Sequence, residues 1–72
     1  MRTITCQDPR AGCEDHEMEV TFRVFPNGSF DVVAIDADDA CVTRDSECRR
    51  AADAAIPNSI AYARAIDEAD YD

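Results

Sequence analysis

The sequence predicts an α+β domain, in which a small antiparallel sheet built on a central β-hairpin has two or three Ala-rich helices packed on one face. Asn27-Gly28 lies between two runs rich in β-branched and aromatic residues, which is a strong hairpin signal. After Asp36 the composition shifts to Ala, Asp and Arg, with apolar residues at helical spacing. The length of 72 residues predicts a single domain over residues 1–72.

The N-terminal segment could add a third strand to the hairpin. Residues 2–6 alternate polar and apolar side chains around Ile4, which is the pattern of a half-buried strand. Residues 7–17 are rich in turn-forming and polar residues, so we expect a loop there. This loop carries Cys13 and the only histidine, His16.

The hairpin itself spans residues 18–36, with a predicted two-residue turn at Asn27 and Gly28 that needs positive φ at both positions. The expected pairs are Phe25 with Phe30, Arg23 with Val32, Phe22 with Val33, and Val20 with Ile35. One face then carries the core residues Val20, Phe22, Val24, Val33 and Ile35. The other face carries Thr21, Arg23, Phe25, Phe30, Val32 and Ala34. Because Phe25, Phe30 and Val32 are too apolar to meet water, we expect the N-terminal strand and loop or another chain to cover them.

The second half of the chain predicts helices. Asp36 could cap a first helix that includes Ala40 and Cys41, since acids in a first turn are favoured by the helix dipole. Asp45 or Ser46 could cap a second helix. Its apolar stripe would consist of Cys48, Ala51, Ala52, Ala55 and Ile56.

A proline separates this helix from the last one. Pro57 should stop or kink the chain, and Asn58 or Ser59 could cap the helix that follows. The expected buried side of that helix consists of Ile60, Tyr62, Ala63, Ile66 and Ala69. The expected solvent side consists of Arg64, Asp67, Glu68 and Asp70.

The charge of the chain limits its partners. Sixteen carboxylates against seven Arg residues, with no Lys, give a formal charge of −9. Like-charge repulsion disfavours direct binding of nucleic acid or an anionic membrane and favours a protein partner with a basic surface. The acids could serve solubility alone. Alternatively they bind that partner, and the expected binding residues are Asp36, Asp38, Asp39, Asp45, Glu47 and Asp53, together with Phe25 and Phe30, or the acidic tail Asp67, Glu68, Asp70 and Asp72.

Four cysteines leave three alternatives open. Cys6, Cys13, His16 and Cys48 offer a set of soft ligands for zinc. Disulfides are a second alternative, although Cys41 and Cys48 on one unbroken helix would lie about 10.5 Å apart, beyond the roughly 7 Å that a disulfide spans. Free thiols are the third, and we expect no cofactor.

The acidic segment 36–47 has the length of a calcium-binding loop, but calcium is disfavoured. Its fifth position, which should supply a ligand, is Ala40, and its sixth, which should be Gly, is Cys41.

Catalysis and membrane insertion are not expected. The sequence has no Gly-rich phosphate-binding loop and no feature that marks one cysteine as a nucleophile, so the chain is not predicted to be an enzyme. It has no N-terminal apolar run of signal-peptide length and no membrane-length apolar stretch. We therefore expect a cytoplasmic protein.

A compact, strongly acidic chain with a hairpin and Ala-rich helices resembles the small phage-encoded inhibitors of bacterial defence, the anti-CRISPR proteins among them. The resemblance covers size, charge and layout. It implies a DNA-mimicking inhibitor in the host bacterial cytoplasm that binds a basic, nucleic-acid-binding protein surface. The alternatives are a zinc- or disulfide-stabilised interaction module, or a homodimer formed through the face that carries Phe25, Phe30 and Val32.

Overall fold

The computed structural model describes residues 1–12, 15–37, 40–42, 44 and 46–71. The elements are β1 (Arg2–Gln7), β2 (Glu17–Val24), β3 (Phe30–Ala37), β4 (Ala40–Cys41), α1 (Ser46–Ala55), a 3₁₀ turn (Ile56–Asn58) and α2 (Ile60–Asp67). The strands form one antiparallel sheet in the order β1-β2-β3-β4. The predicted α+β class, the central hairpin and the N-terminal strand are confirmed.

The hairpin turn contains three residues, so the predicted two-residue turn is wrong. The Phe25 N–H donates to the Ser29 carbonyl at 2.8 Å, and the Gly28 N–H donates to the Phe25 carbonyl at 2.9 Å. Gly28 has a φ of 87°, whereas Asn27 does not have positive φ. Proline restricts φ to about −65°, which suits Pro26 to the first central position of a type I turn closed by a left-handed glycine.

This turn changes the register next to it. The pairs nearest the turn are Val24 with Phe30, Arg23 with Asp31, and Phe22 with Val32. A β-bulge at Val33 then restores the predicted pairing of Val20 with Ile35. As a result Val32 is buried, with 6% of its surface exposed, and Val33 is 39% exposed. The predicted register, with Val33 in the core and Val32 on the other face, is therefore wrong for these two residues.

The predicted outward cluster of aromatic residues is therefore wrong. Phe30 shares the buried face of the hairpin and packs edge-to-face on Tyr62 of α2, with 6.0 Å between ring centroids. Phe25 follows the end of β2, and its ring centroid lies 5.8 Å from the guanidinium carbon of Arg23. Since Val32 is also buried, these side chains do not share a face that requires a cover.

Residues 36, 37, 40 and 41 are extended, so the predicted first helix is wrong for the residues described. Asp36 lies in β3 opposite Cys41 of β4, and Ala37 is fully packed into the core. The alternation of buried and exposed residues continues from Ile35 to Ala37, and this pairing overrides the helical preference of Ala. Asp38 and Asp39 lie outside the described residues.

Helix α1 follows its prediction. Cys48, Ala52 and Ile56 are buried, while Ala51 and Ala55 are half-buried. Pro57 lies in the 3₁₀ turn that ends this helix.

Helix α2 is capped as predicted, but of its predicted buried side only Tyr62 packs against the core. Ser59 Oγ accepts a hydrogen bond from the Tyr62 N–H at 3.2 Å. Ala65 is buried and Ala61 is half-buried, whereas Ile60 is 73% exposed. The predicted buried residues Ala63, Ile66 and Ala69 are exposed as well, while the predicted solvent side, Arg64, Asp67, Glu68 and Asp70, is confirmed.

The rotation of α2 is fixed by Tyr62. Its hydroxyl donates to the Gly28 carbonyl in the hairpin turn at 2.5 Å, and its ring packs on Phe30. A helix rotated to bury Ile60 would lose both contacts. The spacing of apolar residues alone does not reveal this connection.

The buried residues of the sheet and of the helices form one cluster. Its members are Met18, Val20, Phe22, Val24, Val32, Ile35, Ala37, Cys48, Ala52, Ile56 and Ala65. The other side of the sheet, which we call the outer face, carries exposed or half-buried residues. They are Thr3, Thr5, Gln7, Glu17, Glu19, Thr21, Arg23, Asp31, Val33, Ala34, Asp36 and Cys41. Neither described helix has the length and apolar character needed to span a membrane.

Candidate protein-binding surface

One end of the outer face carries an acidic row, formed by Glu17, Glu19 and Asp36. Glu19 lies directly opposite Asp36 in the pairing of β2 with β3. Glu17 is two residues earlier on β2, so its side chain points to the same face. Neighbouring strands lie about 4.8 Å apart and alternate residues along a strand about 6.8 Å apart. All three side chains are exposed and lie within a small area.

The charges of the acidic row are not balanced by nearby arginines. Within the described part of the chain, no arginine forms an ion pair with Glu19 or Asp36. The ion pair of the outer face, Arg23 with Asp31 at 3.1 Å, lies at the opposite end next to the hairpin turn. Like charges placed directly across an antiparallel pair are destabilising. The acidic row is therefore an arrangement that the fold does not need for its own stability.

The centre of the outer face is weakly polar. Thr3 Oγ1 lies 3.4 Å from Thr21 Oγ1 across the β1–β2 pair. Ala34 lies opposite Thr21 on the other side, and the bulge residue Val33 is next to it. A weakly polar centre with a charged margin has the arrangement of a protein-binding surface, in which a less polar core is surrounded by a polar rim.

The predicted partner-binding residues do not form one surface. Asp36 belongs to the outer face, whereas Glu47 and Asp53 are exposed on α1, on the other side of the sheet. Asp38, Asp39 and Asp45 lie outside the described residues. Phe30 packs within the fold, and Phe25 is half-buried beside Arg23.

Two residues of the acidic row, Glu17 and Glu19, were not among the predicted binding residues. Their signal was present in the sequence, because Glu19 alternates with the buried Met18 and Val20 and therefore belongs to the outer face. The predicted pairing of Val20 with Ile35 also places Glu19 opposite Asp36. The predicted binding acids all lie from Asp36 onwards, so they include Asp36 but not Glu19.

A second group of polar side chains surrounds Asp8, whose side chain is buried at 1% exposure. Arg10 holds this carboxylate with its Nη2 at 2.7 Å from Oδ2, its Nε at 3.1 Å from Oδ1 and its backbone N–H at 3.0 Å from Oδ1. These hydrogen bonds, from the side chain first and then from the backbone, lower the pKa of Asp8 to about 2 against the opposing effect of burial.

Asp8 also connects the loop after β1 to α1. The Cys48 thiol, in the first turn of α1, lies 3.9 Å from Asp8 Oδ1, and the Asp8 N–H donates to the His16 carbonyl at 3.0 Å. In the sequence Asp8-Pro9 indicates only a turn, and no local pattern reveals a partner 40 residues away.

The cysteines described by the structure do not form disulfides with one another. Cys6 is half-buried, and burial raises its thiol pKa, with further contributions from Asp8 and Glu17. Among the described residues, no three His, Cys, Asp or Glu side chains are grouped to hold a metal ion. Cys13 of the predicted zinc set lies outside the described residues, so the zinc and disulfide alternatives that involve it stay predictions.

Comparison with models of known protein families, with curated proteins and with solved structures gave no match. The candidate surface is thus defined by its own chemistry. The outer face, with the acidic row at one end, is the surface of the described chain that combines uncompensated charge with a weakly polar centre.

Proposed function

We propose that this protein is a small acidic inhibitor that binds a basic protein surface through its outer face. The observation that carries the proposal is the exposed pair Glu19 and Asp36, held opposite each other without an arginine partner. Such a pair costs stability, on the order of a few tenths of a kcal/mol to 1 kcal/mol. An arginine or lysine of a partner placed between the two carboxylates would convert this repulsion into attraction.

The remainder of the outer face supports the same proposal. Thr3, Thr21, Val33 and Ala34 can be covered by a partner without burying unpaired charges. Glu47 and Asp53 lie on the other side of the sheet and would act through the long-range field, which accelerates encounter with a basic partner.

The chemistry of the partner follows from the charge of the chain. A basic surface that normally holds nucleic acid is the kind of site that a protein of charge −9 can occupy. The resemblance to phage-encoded inhibitors directs the search to bacterial defence and regulatory complexes of the cytoplasm. Binding alone would cause inhibition, and the proposal requires no cofactor and no catalysis.

The test compares three variants that each remove one negative charge. Glu19→Gln and Asp36→Asn alter the acidic row, and Asp67→Asn on the exposed side of α2 is the matched control. Partners are captured from a bacterial lysate, identified by mass spectrometry and then measured individually by calorimetry. Each change in the acidic row should weaken binding about fivefold to twentyfold, which corresponds to about 1–2 kcal/mol.

The control should stay within about twofold of the unchanged protein, since it alters the total charge but not the contact. Glu19→Gln and Asp36→Asn remove a repulsion, so they should not unfold the protein, and a melting curve verifies this. Equal losses for all three variants would show that only total charge matters and would contradict the proposed surface.

A further inference from the structure

Strand β1 lies at one edge of the sheet. In an antiparallel ladder, directly opposite residues alternate between pairs that exchange hydrogen bonds and pairs that do not. The Asp8 N–H donates to the His16 carbonyl, and these residues continue the register of β1 with β2, so they form a hydrogen-bonded pair. The alternation therefore directs the backbone N–H and C=O groups of Thr3 and Thr5 away from β2, towards the edge.

This edge lacks the features that usually protect an edge strand. Natural edges are blocked by charged side chains, prolines, bulges or extreme shortness. Apart from Arg2, whose charge is paired with Asp70 and Glu68, β1 contains no charged residue and no proline, and its pairing with β2 has no bulge. Within the described residues no other strand pairs with β1 on this side. The other edge strand, β4, is only two residues long.

The edge is also held in place. Arg2, at the start of β1, forms ion pairs with Asp70 at 2.5 Å and Glu68 at 3.3 Å, which follow the end of α2. A strand that is already ordered loses little conformational freedom when a second strand adds to it.

We propose that β1 pairs antiparallel with β1 of a second copy of this chain, giving one continuous sheet across a homodimer. The two-fold axis passes next to Ile4. Thr3 of each copy then lies opposite Thr5 of the second copy, and the edge-directed N–H and C=O groups of these residues exchange hydrogen bonds. Ile4 meets Ile4 of the second copy on the helix side of the sheet, where this side chain is half-buried in one chain alone.

The segment Thr3-Ile4-Thr5 reads the same in both directions, which favours a second copy as the occupant, because the two-fold axis pairs Thr with Thr and Ile with Ile, β-branched residues suited to neighbouring strands. The distribution of charge does not oppose contact at this edge. Two copies of a chain of charge −9 repel each other over most of their surface. Strand β2 carries Glu17 and Glu19, and β3 carries Asp31 and Asp36, but β1 carries no carboxylate. Since β1 lies at the edge and the nearby Glu68 and Asp70 are paired with Arg2, two copies meet less repulsion at this edge than over the rest of their surface.

The proposed register has a consequence for the outer face. It pairs outer-face residues with outer-face residues, so both outer faces lie on the same side of the continuous sheet. Two acidic rows then belong to one extended surface, with the helices of both copies on the other side. The dimer does not depend on the proposed function, because it uses the edge of β1 and not the acidic row.

The test measures molar mass by size-exclusion chromatography with light scattering over a dilution series. The unchanged protein should show twice the 7.9 kDa mass of one chain at high concentration and dissociate on dilution. Thr5→Pro removes an N–H that points to the edge and keeps the hydrogen bonds of β1 with β2. It should raise the dimer dissociation constant about thirtyfold or more, because two symmetric hydrogen bonds are lost. Thr5→Val keeps the N–H and the β-branched side chain, so it should remain a dimer.

Hydrogen exchange measured by NMR provides a second readout on the unchanged protein. The Thr3 and Thr5 amides should exchange more slowly as the concentration rises, whereas the Ile4 amide, bonded to β2, should be protected at every concentration.

The response to added salt distinguishes this dimer from the proposed partner binding. Screening weakens like-charge repulsion and should strengthen the dimer, while it should weaken binding to a basic partner.

Three results would overturn the proposed dimer. The first is a single-chain mass at every concentration, and the second is a dimer that persists in folded Thr5→Pro. The third is protection of the Thr3 and Thr5 amides only when another protein is added, which would assign the edge to a strand of that protein.

Discussion

At the scale of single residues, Asp8 shows how a buried charge is held in a small domain. A carboxylate removed from water is tolerated only when it is paired and hydrogen-bonded. Here Arg10 provides a charge and several N–H groups, and Cys48 provides a thiol from a distant helix. The three residues connect the loop after β1 to α1.

This arrangement predicts a pH dependence of stability. The pKa of Asp8 is lowered to about 2 in the folded protein, mainly by Arg10, against about 3.9 in an unfolded chain. A lowered pKa stabilises the fold above the unfolded value, and this contribution is lost as the pH falls from about 4 to about 2. Asp8→Asn should therefore be clearly less stable than the unchanged protein at pH 7, and the difference should shrink towards pH 2.

Urea unfolding at several pH values measures this difference. Asp53→Asn, at an exposed position of α1, is the control and should follow the unchanged protein throughout. A gap between Asp8→Asn and the unchanged protein that stays constant with pH would show that the ionised carboxylate does not provide the stabilisation.

At the scale of elements, α2 is held at both ends. Ser59 caps its start, and Tyr62 connects its first turn to the hairpin turn. Its last turn closes with a hydrogen bond from the Asp70 N–H to the Ala65 carbonyl at 2.9 Å, while Ala69 adopts a φ of 52°. This is a Schellman ending, and glycine usually occupies the position of Ala69 because an L side chain is strained there.

Replacing that residue should stabilise the protein. Ala69→Gly should raise the free energy of unfolding by about 0.5–1 kcal/mol, since the relief of strain exceeds the added entropy of the unfolded chain. The melting temperature should rise by roughly 2–8 °C. Ala63→Gly, at an exposed position inside the same helix, should lower the free energy of unfolding by about 1 kcal/mol. Thermal unfolding of both variants checks this, and a loss of stability in both would show that Ala69 is unstrained.

At the scale of the whole molecule, net charge opposes the compact state. A charge of −9 on 72 residues creates self-repulsion, to which the pair Glu19 and Asp36 adds locally. The core that resists this repulsion contains no Leu and no Trp. The stability of the protein should therefore depend on ionic strength.

We expect the melting temperature to rise as sodium chloride is added, with most of the change at low concentration, where the Debye length shortens fastest. Glu19→Gln should melt higher than the unchanged protein in low salt and gain less from added salt, because one repulsion is already absent. Differential scanning calorimetry of both proteins measures this. A melting temperature independent of salt would contradict the prediction of self-repulsion.

The elements themselves followed from local chemistry. The alternation in β2, the stripe of α1, the stop at Pro57 and the cap at Ser59 are all short-range features, so they could be predicted from neighbouring residues. The hairpin was also predictable, but its turn type was not. Asn27-Gly28 indicates a two-residue turn, whereas in the structure Pro26 belongs to the turn as a third residue. A single extra turn residue moved Val32 into the core and Val33 out of it.

The candidate site was predicted only in part. Asp36 was predicted to cap a helix and to bind a partner, and Glu19 was not among the predicted residues, although the predicted pairing of Val20 with Ile35 already places Glu19 opposite Asp36. In the structure β3 continues past Asp36, where that helix was expected to begin. Strand pairing gains hydrogen bonds and burial over many residues, and that gain exceeds the weak helical preference of a few Ala and Asp residues.

The sequence by itself determined the class of fold, the hairpin, α1 and the negative charge, because each depends on composition or on residues close together in the chain. Only the tertiary structure decided the rotation of α2 and the burial of Asp8 beside Cys48. Each of these joins residues far apart in the chain, through Tyr62 with Gly28 and Asp8 with Cys48. Such contacts form only when the packed elements bring them together, so no local pattern encodes them.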